Sequence, residues 1–223
     1  MSAHQWAQSL YLDTNAFIYA SFYLAKPKGA PDLEYYRRGR LVIRCLECCQ
    51  TAGIRVFSTD LAYLEMHHNY YEWARLRQAL DLGAPPGLLF GKSHRMDSDF
   101  LNRPLGPSAQ AQVLGATAQW LETWDFHQLV EFKRPDEMPN WFPVARHIYS
   151  RFMETVVDCL HLAAAISLEC NYFLTQDDTL RRLIHQMRED DAFKCGLRSE
   201  CGLSEDYGLP DAVRVQTFCN AFK

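Results

Sequence analysis

Short apolar runs alternating with longer helix-patterned segments predict an α/β protein in which parallel strands form a central sheet covered by helices on both faces. Two observations carry this. The strand-like runs are brief and almost unbroken in apolar character, as strands buried on both sides are, and each leads toward a stretch with helical spacing and a start or stop signal. Size agrees, because 223 residues with 48% hydrophobic and 22% charged content can bury one sizeable core. A single domain over residues 1–223 is the expected organisation.

Taken in order, Ser9-Leu-Tyr-Leu-Asp13 reads as a buried strand whose last residue emerges at the sheet edge, and Thr14-Asn15 as the start of a helix. A helix is expected over Asp32–Thr51, ending before Gly53, and a second strand over Ile54–Phe57. Ser58 or Thr59 would cap a long helix running toward Leu82, with Gly83-Ala-Pro-Pro-Gly87 stopping it. Gly, Pro, Ser and mixed charge between Leu88 and Pro107 read as a loop or lid, followed by a helix from about Ala109 to Trp124. The third strand is expected at His127–Phe132. Pro135, Pro139 and Pro143 then lead into a helical region ending near Cys170. Strands at Tyr172–Thr175 and Ala212–Phe218 flank a helix over Thr179–Arg188.

The formal charge is −4, so no global basic field draws in nucleic acid, and any such contact must be local. Met1–Leu10 lacks the basic and apolar regions of a leader, and no apolar run approaches the roughly 18 residues of a membrane span. A cytoplasmic protein with no membrane partner is the expectation. Eight cysteines stand at positions 45, 48, 49, 159, 170, 195, 201 and 219. Cys45, Cys48 and Cys49 fall inside a helix and no second pair completes a tetrahedral zinc site, so buried thiols explain most of them.

Parallel sheets of this kind hold their ligands outside the carboxyl ends of the strands, where strand order reverses. Asp13 and Asp177 each lie just beyond such an end. Glu65 lies about two turns into the helix after the second strand, and Asp158 precedes Ala163-Ala-Ala165, whose small side chains let a helix pack close to the sheet. Four carboxylates in one pocket would repel one another unless a divalent cation neutralised them. All-oxygen ligands suit Mg²⁺ or Mn²⁺, and phosphodiester hydrolysis is the natural chemistry of such a site. Taken singly, any of these acids is ordinarily a solvated or capping residue.

Together the surrounding segments resemble the PIN-domain family, in particular the VapC-type toxins. Tyr-Leu-Asp13-Thr-Asn-Ala-Phe-Ile looks like the family's opening strand and turn, and Phe57-Ser-Thr-Asp-Leu-Ala-Tyr-Leu-Glu65 like its second strand and acidic helix. Val157-Asp158-Cys-Leu-His-Leu-Ala-Ala-Ala is similar to the D-x-x-h-x-A-x-A helix, and Tyr172-Phe-Leu-Thr175-Gln-Asp177 to the closing strand and T-x-D. The resemblance implies a three-layer α/β/α domain and an RNA-cleaving Mg²⁺ or Mn²⁺ site built on Asp13, Glu65, Asp158 and Asp177. Asn15 and Thr175 would be its polar neighbours. It also implies a homodimer and a small antitoxin protein filling the acidic groove. The chain departs from the family pattern between Glu65 and Asp158, which points to a largely helical insertion at about residues 83–141.

Asp178 can replace Asp177 if the loop shifts by one residue, and Asp60 is better explained as favourable charge at a helix start. His161, three residues beyond Asp158, reads as a structural histidine. Arg37, Arg38, Arg40, Arg44, Arg181 and Arg182 would serve as local phosphate contacts or as solvated faces. Two rivals remain. A phosphatase of the haloacid-dehalogenase type needs an acid where Asn15 stands. A non-catalytic RNA- or protein-binding module would keep the fold without the chemistry.

Overall fold

The computed structural model describes residues 8–24, 26, 28–29, 31–83, 103–123, 129–204 and 208–213. It is an α/β structure with a five-stranded, all-parallel sheet flanked by helices, a three-layer α/β/α arrangement. The described elements are β1 (Ser9–Leu12), α1 (Thr14–Leu24), α2 (Glu34–Ala52), β2 (Arg55–Thr59), α3 (Asp60–Asp81), α4 (Pro107–Thr123) and β3 (Glu131–Lys133). A short 3-10 turn (Pro135–Glu137) leads to α5 (Trp141–Phe152), α6 (Val156–Ser167), β4 (Tyr172–Leu174), α7 (Asp178–Glu189), α8 (Asp191–Cys201) and β5 (Asp211–Val213). Among the described residues no helix is long and apolar enough to cross a membrane.

Strand order is β3-β2-β1-β4-β5. The chain winds outward from β1 through β2 to β3, then crosses to the other side for β4 and β5. The order therefore reverses between β1 and β4, whose register pairs Leu10 with Tyr172 and Leu12 with Leu174. Side chains alternate across a strand, which divides the strand residues between two cores. Tyr11, Phe57 and Phe173 join one core with Ala163, Ala164 and Ala165 of α6, Leu183 and Ile184 of α7, and Phe193 and Leu197 of α8. Tyr11 stacks on Phe173 at 5.3 Å between ring centroids. Leu10, Leu12, Val56 and Leu174 have the opposite parity and are equally buried. Full burial of each such side chain contributes about 1.5–3 kcal/mol relative to exposure.

Local chemistry explains the element ends. Gly53 closes α2 in the left-handed region at φ 68°, its N–H reaching the carbonyls of Cys49 and Gln50. Gly39 lets α1 and α2 cross closely, because a Cβ there would stand 2.0 Å from the Tyr19 carbonyl oxygen. The small residues Ala163–Ala165 are fully buried, as the close packing of α6 requires.

Several expectations are corrected. Ser58 and Thr59 do not cap α3: both belong to β2, and the Ser58 hydroxyl donates to the Leu12 carbonyl at 3.1 Å. The helical region expected before Cys170 is found, as two helices with Met153 between them at φ 56°. The third strand is only Glu131–Lys133, and the polar stretch holding Cys195 and Cys201 is the helix α8. The loop expected at Leu88–Pro107 falls largely outside the described residues, as does the last strand beyond Val213. The seven described cysteines form no disulfide.

The chain divides into two compact units, residues 1–62 with 126–223, and residues 63–125. The boundary falls inside α3. In the second unit, His67 Nδ1 lies 3.2 Å from the Thr117 hydroxyl of α4. Gln78 near the end of α3 clamps the start of α4, its amide donating to the Pro104 carbonyl and its oxygen accepting from Gly106 N–H.

Candidate functional site

Asp13 stands at the reversal point. It follows β1 directly, and its backbone N–H donates to the Leu174 carbonyl at 3.1 Å, carrying the β1–β4 ladder one residue past the strand end. Its side chain is buried, with 3% of the residue exposed. The Thr175 hydroxyl donates to Asp13 Oδ2 at 2.7 Å and the Asn15 amide approaches the same oxygen at 3.4 Å. Thr175 is itself fully buried just after β4, and its hydroxyl oxygen accepts the Asp177 N–H at 2.9 Å. A hydroxyl has one proton, so with Asp177 N–H as the donor on one side, Asp13 is the acceptor on the other. One side chain thereby ties the two strand-end acids together.

Asp177 is the N-cap of α7. Its Oδ1 accepts from the backbone N–H of Thr179 at 2.6 Å and of Leu180 at 3.4 Å. Asp158 occupies the first turn of α6, where Thr155 is the cap: the Thr155 hydroxyl accepts from Asp158 N–H at 3.2 Å and donates to Asp158 Oδ2 at 2.7 Å. Asp177 therefore has the capping role that any single acid ordinarily has, while Asp158 accepts the hydroxyl of the residue that caps its helix. Each uses one carboxylate oxygen this way and leaves the other without a hydrogen bond or ion pair among the described residues. The Thr-x-x-Asp spacing was the signal for Thr155, which the reading of strand-end acids passed over.

Asp178 is the first residue of α7, exposed, and ion-paired to Arg181. That pairing turns it along the helix and leaves Asp177 as the acid beside Thr175. Glu65 belongs to the second unit, on α3. Asp60 begins α3, as expected for charge at a helix start. Among the described residues no three His, Cys, Asp or Glu side chains converge as a ready-made metal cage. The donor chemistry nonetheless fits a hard cation: carboxylate, amide and hydroxyl oxygens, with no thiol or imidazole in the group.

Burial, with Asp158 and Glu154 nearby, pushes the Cys159 thiol up to about 11, and burial raises Cys170 and Cys201 as well. His161 is 1% exposed and bonded through both ring nitrogens, to the Tyr11 hydroxyl at 2.7 Å and the Thr14 hydroxyl at 3.2 Å. Of the basic candidates, Arg37 and Arg38 pair with Glu34 and Arg40 with Asp32, as a solvated helix face would. Arg181, paired to Asp178, and Arg182 line an open cavity of about 740 Å³ along α7 with Ile184, His185, Arg188 and Asp211. No family model matches the chain, and a search of curated proteins finds no relative.

Proposed function

We propose that the chain is a metal-dependent endoribonuclease of the PIN-domain type, hydrolysing RNA phosphodiester bonds at an acidic Mg²⁺ or Mn²⁺ site. One observation carries it: a buried aspartate at the β1–β4 reversal, its carboxylate held by a hydroxyl that also fixes the main chain of a second aspartate. Asp13, Asp177 and Asp158 would hold the ion, with Thr175 and Asn15 orienting Asp13. Glu65 enters the set on its sequence pattern alone. When bound, such an ion supplies charge neutralisation and a more acidic attacking water. The protein's own part is to hold Asp13 rigid, to keep an open oxygen on Asp158 and on Asp177, and to offer Arg181 and Arg182 to the phosphate backbone along the adjacent cavity.

The resemblance to VapC-type toxins extends the proposal to the toxin of a toxin–antitoxin pair, acting in the cytoplasm as a homodimer whose groove an antitoxin protein fills. A second reading, a non-catalytic PIN-like module that binds RNA or protein, is favoured by the structural work these acids already perform, Asp177 as a helix cap and Asp158 as acceptor for the Thr155 hydroxyl.

Incubating the protein and its Asp13→Asn variant with labelled structured and single-stranded RNA, under EDTA, Mg²⁺ or Mn²⁺, separates the two. Cleavage by the metal-loaded parent alone is the expected result. Cleavage that persists in EDTA or equally in the variant would remove the acidic site from the chemistry, and RNA binding without cleavage would favour the module.

A further inference from the structure

Beneath the acids runs a buried chain of hydrogen bonds that neither the capping nor the coordination accounts for. The Thr59 hydroxyl lies 3.2 Å from the Tyr11 hydroxyl, Tyr11 lies 2.7 Å from His161 Nδ1, and His161 Nε2 lies 3.2 Å from the Thr14 hydroxyl. All four residues are buried, with exposures between 0 and 3%. The Tyr11 and His161 rings meet edge to face at 5.8 Å. A neutral imidazole has one N–H and one bare nitrogen, and both of its partners are hydroxyls able to donate or accept. Either tautomer therefore keeps both nitrogens bonded.

The chain's placement is specific. Tyr11 precedes Asp13 by two residues and shares its side of β1 by strand alternation, while Thr14 follows Asp13 in the first turn of α1. His161 follows Asp158 by three residues, on the same side of α6, and Thr59 ends β2. A core position facing a sheet is ordinarily filled by an apolar residue, and a leucine here would fill space without fixing where α6 sits along β1. Hydrogen bonds at both ring nitrogens fix its position along the strand as well as its distance from the sheet.

We infer that His161 is a positioning residue, holding α6 in register with the β1–α1 turn so that Asp158 stays placed relative to Asp13. This rests on the acidic-site reading above and adds a residue that does not itself touch the ion.

The test is Mn²⁺ titration by calorimetry of the parent, Asp13→Asn, His161→Leu, His161→Asn and Tyr11→Phe, at a temperature where circular dichroism shows each folded. Tyr11→Phe keeps the ring on Phe173 and deletes only the hydroxyl, so it decides the matter if His161→Leu does not fold. Loss of a partner that orients ligands typically costs 10–100-fold in metal affinity. A weakening of at least about tenfold is therefore expected in His161→Leu and Tyr11→Phe, with recovery in His161→Asn, whose amide can replace the Nδ1 bond to Tyr11. Affinities in the folded His161 and Tyr11 variants within about twofold of the parent, while Asp13→Asn loses the ion, would overturn the positioning role and leave the acidic site standing. Equal losses in His161→Leu and His161→Asn would also overturn it, assigning the effect to ring packing. A parent that binds no better than Asp13→Asn would remove the acidic site and the positioning role together.

Discussion

Asp177 and Asp190 open successive helices in nearly the same way, and their surroundings then diverge. Asp177 Oδ1 accepts backbone N–H groups at the start of α7, and Asp190 Oδ1 accepts the Phe193 N–H at 2.9 Å at the start of α8. Asp190 is completed by Arg151, whose Nε sits 2.8 Å from its Oδ2. Asp177 has no such partner among the described residues, and it stands where Thr175 links it to Asp13. A cap satisfied on both oxygens is finished as structure. A cap that uses one oxygen, at the place where strand order reverses, keeps a coordination position open. Capping alone therefore does not decide whether an acid is structural.

The largest expected difference follows from removing charge while keeping shape. Asp13→Asn and Asp177→Asn should each lower metal-dependent RNA cleavage by at least about 100-fold, beyond the range typical of residues outside the ligand set. Asn still accepts at a cap, so the helix start survives. Asp190→Asn should leave the cleavage rate within about twofold. Steady-state rates on one RNA substrate check all three, and a fall in Asp190→Asn matching that in Asp177→Asn would erase the distinction between the two caps.

Thr175→Val comes next. The change keeps the volume and deletes the hydroxyl shared by the buried Asp13 carboxylate and the half-buried Asp177 N–H, leaving both without it. Stability should fall by about 1–3 kcal/mol, and cleavage by about 10–100-fold if Thr175 orients the Asp13 carboxylate. Denaturant melts and rates on the same preparation separate the two effects. A stability loss without a rate loss would make the hydroxyl purely structural.

Much of this is legible in the sequence. Buried strands announce themselves as short apolar runs, so β1, β2 and β4 were placed within a residue or two, and the acids after β1 and β4 followed from them. The end of α2 was equally plain, because Gly53 supplies the left-handed closure. Other features were hidden for physical reasons. Ser58 and Thr59 are good caps by type, but β2 runs two residues longer than its apolar part, and their hydroxyls serve β1 instead. The helix α8 is hard to read because its polar face dominates the sequence. Its buried face is spaced over Phe193, Leu197 and Cys201, and Gly196 is required where a Cβ would stand 2.3 Å from the His147 ring. The roles of Tyr11, Thr14 and Thr59 around His161 depend on register between β1, β2 and α6, which no single segment encodes. Glu65 has its sequence pattern, while α3 crosses the boundary between the two compact units.

A smaller effect sharpens the capping side of the contrast. Asp177→Ala removes the acceptor for Thr179 and Leu180 N–H and should cost about 1 kcal/mol, against a few tenths for Asp177→Asn. Both substitutions should abolish cleavage alike. A denaturation series on the pair measures the cap by itself, and equal stabilities would mean that Asp177 contributes little to α7.

The smallest effect is the pH dependence at Asp190. The Arg151 hydrogen bond, followed by that from Phe193 N–H, holds its carboxyl below the ordinary range near 3.8. A carboxyl lowered on folding contributes stability that is fully present above its unfolded value and is lost as pH falls through the folded one. The melting-temperature gap between the parent and Asp190→Asn should therefore be steady at neutral pH and narrow only below about pH 4. The acid limb should be shallower in the variant, because a neutral amide has no proton to take up. A gap that instead closes between pH 7 and 5 would show that the Asp190 carboxyl is not the group responsible.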